Sequence, residues 1–473
     1  MPAHRSGFPV SGGDSWMERM RGDVPGASWP PVFSTRRSSL AALMLMLDRT
    51  QWLAPETLRA GQLRQLGTLA AHFQERSPRF RERLRAAGLD AAALAGEDGL
   101  SALPPLTRRE IQQDPESFFC RAVPEGHAPL QLFQTSGSTG EPVKVLKTAL
   151  TQLYWTALTL RYHMWHEPDM SGRLCAIRAL VKAPRSGASW GAPFDDFFET
   201  GPAMIIDNGT DLAFQIEEVR RFRPNSLIIY PTNLAAMINR LEQDRIALPD
   251  LERVRTIGET LPPELRETAA RQLGVEVRDC YSSEELGYLA IECPAGGLYH
   301  LMSESLLVEV VDDAGRPCRE GEIGRLLGTD LQNFASPMIR YEIGDHAEVG
   351  GQCPCGRGLP TLKRILGRTR NMVVRPDGTT SWPITGFKRF RDLAPIVQYQ
   401  LVQDSLTSIE VRLVVEAPLS EEQERIVGAH IQDFLGWPFE MRFRYYEGRI
   451  PAGPNGKFEE FKSLVPQTTP ASP

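Results

Sequence analysis

From Ser38 to about Ala87, apolar residues three and four apart sit among arginines, and this spacing predicts a helical entry segment with solvated arginines. The run Leu40 to Leu47 is apolar throughout. It stops at Asp48, far short of the roughly 20 residues needed to cross a bilayer, so it reads as a buried or docking helix. Between "PLQLFQTSGSTG" and "VEVRDCYSSEE", short apolar runs ("RLCAIRAL", "AMIID", "NSLIIYPTN", "RVRTIGETLPP", "GVEVRDC") alternate with amphipathic stretches. That alternation implies crossover units on a largely parallel sheet, a fold that binds ligands at the carboxyl ends of its strands. After Gly297 the texture becomes "LLVEVVDDAGRPCREGEIGRLLGTDL", an antiparallel meander with turns at "DDAG" and "REGEIG". From Met372 on, strands such as "SIEVRLVVEA" and "FEMRFRYYEG" flank one helix, "SEEQERIVGAHIQDFLG", and predict a small α+β domain.

The fold class is therefore α/β, with a large N-terminal domain of mainly parallel sheet plus a meander, and a small α+β C-terminal domain. Residues 1–36 are rich in Gly, Pro and Ser without a period and read as a partly disordered tail. A hinge near "LGRTRNMVV" divides 37–368 from 369–473. A net charge of −6 argues against a nucleic-acid footprint but leaves small anionic ligands open, because a cleft can be basic on an acidic protein. The N-terminus has no apolar signal core and no myristoylation glycine, so a cytoplasmic protein without a membrane anchor is expected. The seven cysteines then call for something other than a disulfide framework.

In "QTSGSTGEPVK", Gly137 and Gly140 let backbone N–H groups turn toward an anion, and Thr135, Ser136, Ser138 and Thr139 add hydroxyl donors. Composition alone leaves a phosphate cradle and a solvated Ser/Gly loop equally open. A Walker-type loop is excluded, since Gly140 is followed by Glu141 and Lys144 by Val145. Cys293, His300, Cys353 and Cys355, in "ECPAGGLYH" and "GQCPCGRG", form a set able to close a tetrahedral Zn²⁺ site, although C-x-C is tighter than the common C-x₂-C.

Taken in order, "TSGSTGEPVK", "TIGETLPP", "CYSSEELGYLAIEC", "IRYEIGD", "RILGRTRNMVV" and "PAGPNGKF" resemble the acyl-adenylate-forming ligases, in the phenylacetate-CoA ligase-like branch, from about Leu40 to Leu464. The resemblance implies that residues Thr135, Ser136, Gly137, Ser138, Thr139 and Gly140 bind ATP phosphates, and that Gly258 and Glu259 lie along the adenine. It gives Tyr281 a stacking role beside Ser282, Ser283 and Glu284. Glu285 would hold Mg²⁺, for which a hard carboxylate oxygen is suited. Asp345 would take the ribose hydroxyls, and Arg368 would pair with phosphate or with Asp345. Lys457 would be the catalytic lysine of a mobile C-terminal lid.

The sequence departs from the family pattern at Ser282 and Glu284, which leaves Glu284 as a competing metal ligand, and at Arg370, where the hinge usually carries Asp. The family builds its acyl pocket where Trp190, Phe194, Tyr230 and Met237 fall, though each also reads as plain core. Related ligases often carry the same Cys/His set, so the resemblance supports structural zinc.

The expected activity is ATP-dependent activation of a carboxylic acid, aryl or related, to an acyl-AMP. Transfer would then go to coenzyme A, or alternatively to a carrier protein or an amine. A homodimer is an expectation at family level. A non-catalytic ATP-binding zinc protein of the same fold is the rival reading, and it predicts loss of Lys457, Glu285 or Asp345, all of which are present.

Overall fold

The computed structural model describes residues 16–465 except 28, 136–141, 167–168, 180, 182, 369–371, 382–389, 391–392 and 452–457. The helical entry segment forms as Thr35–Thr50, Pro55–Arg76 and Pro78–Ala86. In the first of these, Ala41, Met44 and Leu47 are buried at a spacing of three, while Leu45 and Met46 on the other side are exposed, so the helix docks by one face. Within residues 16–36, part of the stretch read as a tail, several positions are anchored. Trp16 Nε1 donates to Asp48 at 3.3 Å, Met20 enters the core, and the amide of Arg21 donates to the Phe197 carbonyl at 2.7 Å. Two large apolar anchors in a Gly/Pro-rich stretch are enough to dock it, and a compositional reading averages over them.

The strands in chain order are β1 Gln131–Gln134, β2 Lys144–Lys147, β3 Leu174–Arg178, β4 Arg185–Gly187, β5 Ala203–Asp207, β6 Ser226–Ile229 and β7 Arg253–Thr256. They continue with β8 Glu276–Ser283, β9 Gly287–Glu292, β10 Tyr299–Leu301, β11 Leu306–Val311, β12 Ile323–Asp330, β13 Tyr341–Val349 and β14 Thr361–Arg368. β1 and β2 make a separate antiparallel pair, and the rest share one sheet in the order β11-β12-β13-β14-β10-β9-β8-β7-β6-β3-β5-β4. Its β5-β3-β6-β7-β8 section is parallel, and β11 to β14 are an antiparallel meander, as the two textures of the sequence predict.

Helices Leu212–Phe222, Pro231–Gln243 and Pro263–Leu273 are the crossovers between parallel strands. They seal one face of the sheet in a core that includes Ile177, Ile206, Leu227, Ile229, Val254 and Val277. A second core holds residues of helix Ala149–His166 together with Phe194, Phe197, Cys280 and Tyr288.

After the meander, β15 Val373–Val374, β16 Thr380–Ser381, β17 Ile396–Gln403, β18 Ser408–Val415, β19 Glu440–Tyr445 and β20 Phe461–Ser463 follow, with helix Glu421–Leu435. A separate hydrophobic core, from Val373 to Phe461, holds this part together. Ser420 and Gln423 form a reciprocal cap at the start of its helix, and Gly436 in the left-handed region ends it. Among the described residues, no helix is long and apolar enough to cross a membrane.

Candidate active site

The chain turns into polar loops at the carboxyl ends of the parallel strands, and these loops line one cavity of about 1900 Å³. Gly258, at φ +75°, begins the loop after β7 and is followed by Glu259. Glu259 accepts from the amide (3.0 Å) and hydroxyl (2.8 Å) of Thr232 through one oxygen, and from the amide of Phe458 (3.1 Å) through the other. It thereby ties the C-terminal segment to the main sheet. Lys457, the residue before Phe458, lies outside the described residues, as do Ser136, Gly137, Ser138, Thr139, Gly140 and Arg370.

Two clusters of side chains face this cavity. In the first, Tyr281 donates its hydroxyl to Asp345 at 2.5 Å, and Arg368 approaches the other Asp345 oxygen at 3.7 Å. Asp345 and Arg368 are register partners across β13 and β14. Gly344, at φ +87° with open space around it, adopts a backbone conformation closed to most residues just before Asp345. Burial and the Asp345 charge keep the Tyr281 phenol protonated well above its ordinary range. Burial also works against the Arg368 guanidinium, but the charges of Asp345 and Glu285 outweigh it and raise its pKa.

In the second cluster, Glu285 is buried in the tight turn between β8 and β9, not at the helix start that an isolated Glu would suggest. One of its oxygens faces Arg108 Nη1 and the Tyr341 hydroxyl, each at 3.5 Å. Arg108 Nη2 also donates to Thr135 Oγ1 at 3.0 Å, so a single guanidinium spans the start of the phosphate-loop motif and the buried carboxylate. Glu284 is exposed, and its backbone carbonyl takes the Lys147 ammonium at 2.6 Å. Ser282 and Ser283 line the cavity as well, beside a bulge between Tyr281 and Ser282 that re-aims the end of the strand. The sequence reading missed Arg108, Lys147, Tyr341 and Thr232. For Arg108 the available signal is the capping box of Thr107 and Glu110, which makes the arginine the first helical residue.

Of the four residues expected in the acyl pocket, Tyr230 lines the cavity, whereas the other three sit elsewhere. Trp190 and Phe194 pack edge-on around the buried ring of His163, at centroid distances of 5.5 and 4.5 Å. Met237 is 1% exposed, in the core beneath the parallel strands, because its position on helix Pro231–Gln243 shares the buried face with Leu234, Ile238 and Leu241. Trp155, Ile257, Cys280 and Tyr288 take their places along the cavity. Met237→Ala is therefore expected to cost about 2–5 kcal/mol of stability in chemical denaturation and to leave the KM for any acid unchanged. A changed KM with unchanged stability would return Met237 to the pocket.

Cys293, His300, Cys353 and Cys355 converge so that one ligand atom from each lies within 4.8 Å of the others. Ligands at Zn²⁺ bond lengths around a tetrahedron are about 3.7 Å apart, so a small contraction closes the site. The His300 Nδ1 edge faces the Leu359 carbonyl at 3.2 Å, which presents Nε2 to Cys355 Sγ at 3.2 Å, the tautomer a metal requires. Burial pushes the His300 pKa down to about 4 and the Cys353 thiol up to about 12. Arg357 covers the cluster, its guanidinium stacked over Trp165 at 4.2 Å and Trp52 at 4.8 Å.

Residues 386–463 match the CapK C-terminal domain family. The phenylacetate-coenzyme A ligase of Thermus thermophilus is 25% identical over 401 residues, 80% of this chain and 86% of the relative. That of Pseudomonas putida is 25% identical over 409 residues, 81% and 88% of the two chains. A crystal structure of 2-hydroxyisobutyryl-CoA ligase, in the postadenylation state with 2-HIB-AMP, matches with a TM-score of 0.66 at 17% identity, over 86% of this chain and 89% of that one. Over most of its length the chain is thus similar to phenylacetate-coenzyme A ligases, and it shares the fold of 2-hydroxyisobutyryl-CoA ligase.

Proposed function

We propose that this protein activates a carboxylic acid with ATP and passes the acyl group to coenzyme A. The observation that carries the proposal is the meeting of Thr135, Glu285, Tyr281, Asp345 and Phe458 on one cavity, although they are scattered over more than 300 positions of the chain. In the first half-reaction a carboxylate oxygen bonds to the α-phosphorus of ATP as the α–β bridging bond breaks, releasing pyrophosphate. In the second, the thiol sulfur bonds to the acyl carbon and AMP leaves.

Asp345 accepts from the ribose hydroxyls, and Arg368 and Tyr281 hold its carboxylate in place. Gly258, Glu259, Ser282 and Ser283 form the remaining nucleotide wall, with the Tyr281 ring against the base. Thr135 and the hydroxyl loop after it take the β- and γ-phosphates. Glu285, more enclosed than Glu284, would hold Mg²⁺, which when bound would supply positive charge to the phosphates. Arg108 orients both Thr135 and Glu285. Cys293, His300, Cys353 and Cys355 hold a structural Zn²⁺ that fastens the loop before β14 to the end of β9. The segment after Arg368 acts as a lid that carries Lys457 to the reacting phosphate.

Pyrophosphate release is expected to require ATP, Mg²⁺ and an acid together, and added CoA to give acyl-CoA and AMP in equal amounts. Tight ATP binding without turnover across a broad panel of acids would overturn the proposal in favour of a binding protein. Turnover with a carrier protein or an amine but not CoA would move the acceptor alone. For Asp345→Asn, the loss of one charged acceptor is expected to raise the KM for ATP about 10- to 100-fold, read from initial rates. An unchanged KM would remove Asp345 from the ribose site.

A further inference from the structure

The parallel strands run β5-β3-β6-β7-β8, so the chain leaves β3 to one side for β5 and then returns to its other side for β6. The carboxyl end of β3 is therefore the point where strand order reverses, and there the crevice of such a sheet receives its ligand. The residue at that end is Arg178. It is exposed, whereas the four strand residues before it are buried, and it lines the cavity beside Tyr230, Trp155, Cys280 and Tyr288. The amide of the next residue, Ala179, donates to the Tyr230 hydroxyl at 3.4 Å, which fixes this corner against the end of β6.

Arg271, also on the cavity wall, donates to the Thr268 hydroxyl at 3.2 Å, and the guanidiniums nearest the strand ends are paired with acids. Arg108 and Arg368 serve Glu285 and Asp345 on the nucleotide side, and Arg266 clamps Glu292 with two bonds of 2.9 and 2.8 Å. Arg178 makes no ion pair or side-chain hydrogen bond with any described residue. Its positive charge acts on Tyr230, Tyr288 and Cys280 along this part of the cavity.

We infer that Arg178 is a specificity residue that receives a second anionic group on the acid substrate, so that the preferred substrate is a dicarboxylic acid or an acid with an equivalent anion. This rests on the adenylation reading of the same cavity. An open cleft leaves Arg178 hydrated at no cost. A neutral acyl chain seated against Tyr230 and Tyr288 would strip that water and return nothing. A carboxylate would replace it with a bidentate, charge-assisted pair. Sites with a polar group waiting for its counterpart discriminate far more strongly than apolar pockets do.

The test compares dicarboxylic acids of graded length, aliphatic and aromatic, with their monomethyl esters, in wild type, Arg178→Met and Arg178→Lys. Two readouts are used: pyrophosphate release, and direct titration of each acid into the ATP-free protein. The wild type is expected to prefer one diacid over its ester by at least ~100-fold in kcat/KM. Arg178→Met should lose that preference through the KM for the acid with the KM for ATP unchanged, and Arg178→Lys should recover part of it. Equal use of diacid and ester by the wild type overturns the inference. So does an Arg178→Met variant whose ATP KM rises equally with both acids, which would make the arginine a triphosphate ligand. If no acid releases pyrophosphate, yet a diacid binds the wild type and not Arg178→Met, the adenylation reading falls and the anion site stands. If neither signal is seen, both fall.

Discussion

Lys457→Ala is expected to slow acid-dependent pyrophosphate release by roughly 10²–10³-fold, the usual effect of removing one donor aimed at charge that develops in the transition state. The reason lies in what the rest of the cavity supplies. In the proposed reading its fixed groups hold the ends of the nucleotide, with Asp345 at the ribose and Thr135 at the distal phosphates. Among the described cations of the cavity, Arg108 and Arg368 face Glu285 and Asp345, and Arg178 lies at the end of β3, so the bond between the α-phosphate and the incoming carboxylate is assigned to Lys457. Lys457 immediately precedes Phe458, whose backbone amide bonds to Glu259 across the cleft and whose side chain helps line it.

The variant should keep its affinity for ATP, measured by titration. It should also still convert added synthetic acyl-AMP and CoA to thioester, because that half-reaction breaks no phosphoanhydride. An unchanged adenylation rate would sink the assignment, and an equal loss in both half-reactions would point to misfolding of the lid. Glu259→Gln gives a companion reading, since it weakens the acceptor for Phe458 without touching the lysine.

Removing the metal from the Cys/His cluster is expected to have the second largest effect, on stability rather than chemistry. Purified protein should carry one zinc per chain. Chelation, or Cys353→Ser, should release it and lower stability by several kcal/mol, because the buried thiols and imidazole lose the ion that organises them. Cys353 is 3% exposed and its sulfur lies close to Gly296, so the loop has no alternative packing to collapse into. Cys318→Ser, outside the cluster, should change neither zinc content nor melting temperature. Protein isolated without zinc, melting at the same temperature before and after chelation, would reduce the four residues to ordinary buried thiols and a core histidine.

The motifs and the two sheet textures were legible along the chain for a common reason. Short strand runs, turn residues and glycine-rich loops are local, and the order of "TSGSTG", "TIGETLPP", "YEIGD" and "NGKF" survives without folding. The same locality misled at Trp190, Phe194 and Met237. An apolar residue near a binding loop looks alike whether it faces the cleft or the sheet, and only the rotation of its helix or turn chooses. Trp155 and Tyr288, which do line the cavity, sit in a long apolar helix and a fully buried strand, where periodicity reads as core. In the stretch read as a tail, Trp16 and Met20 contact the rest of the chain, which its Gly/Pro/Ser composition does not reveal.

Residue types and their order were thus enough to name the fold class and to pick out the four Cys/His residues that converge, since each depends on short-range chemistry. Tertiary structure alone decided that Arg108 joins Thr135 to Glu285, that Cys293 just after β9 and the cysteines of the loop before β14 meet His300, and that Arg178 lines the cleft with no side-chain partner among the described residues. Those pairings span up to 177 positions, as between Arg108 and Glu285, and depend on sheet order and register, which no local pattern encodes.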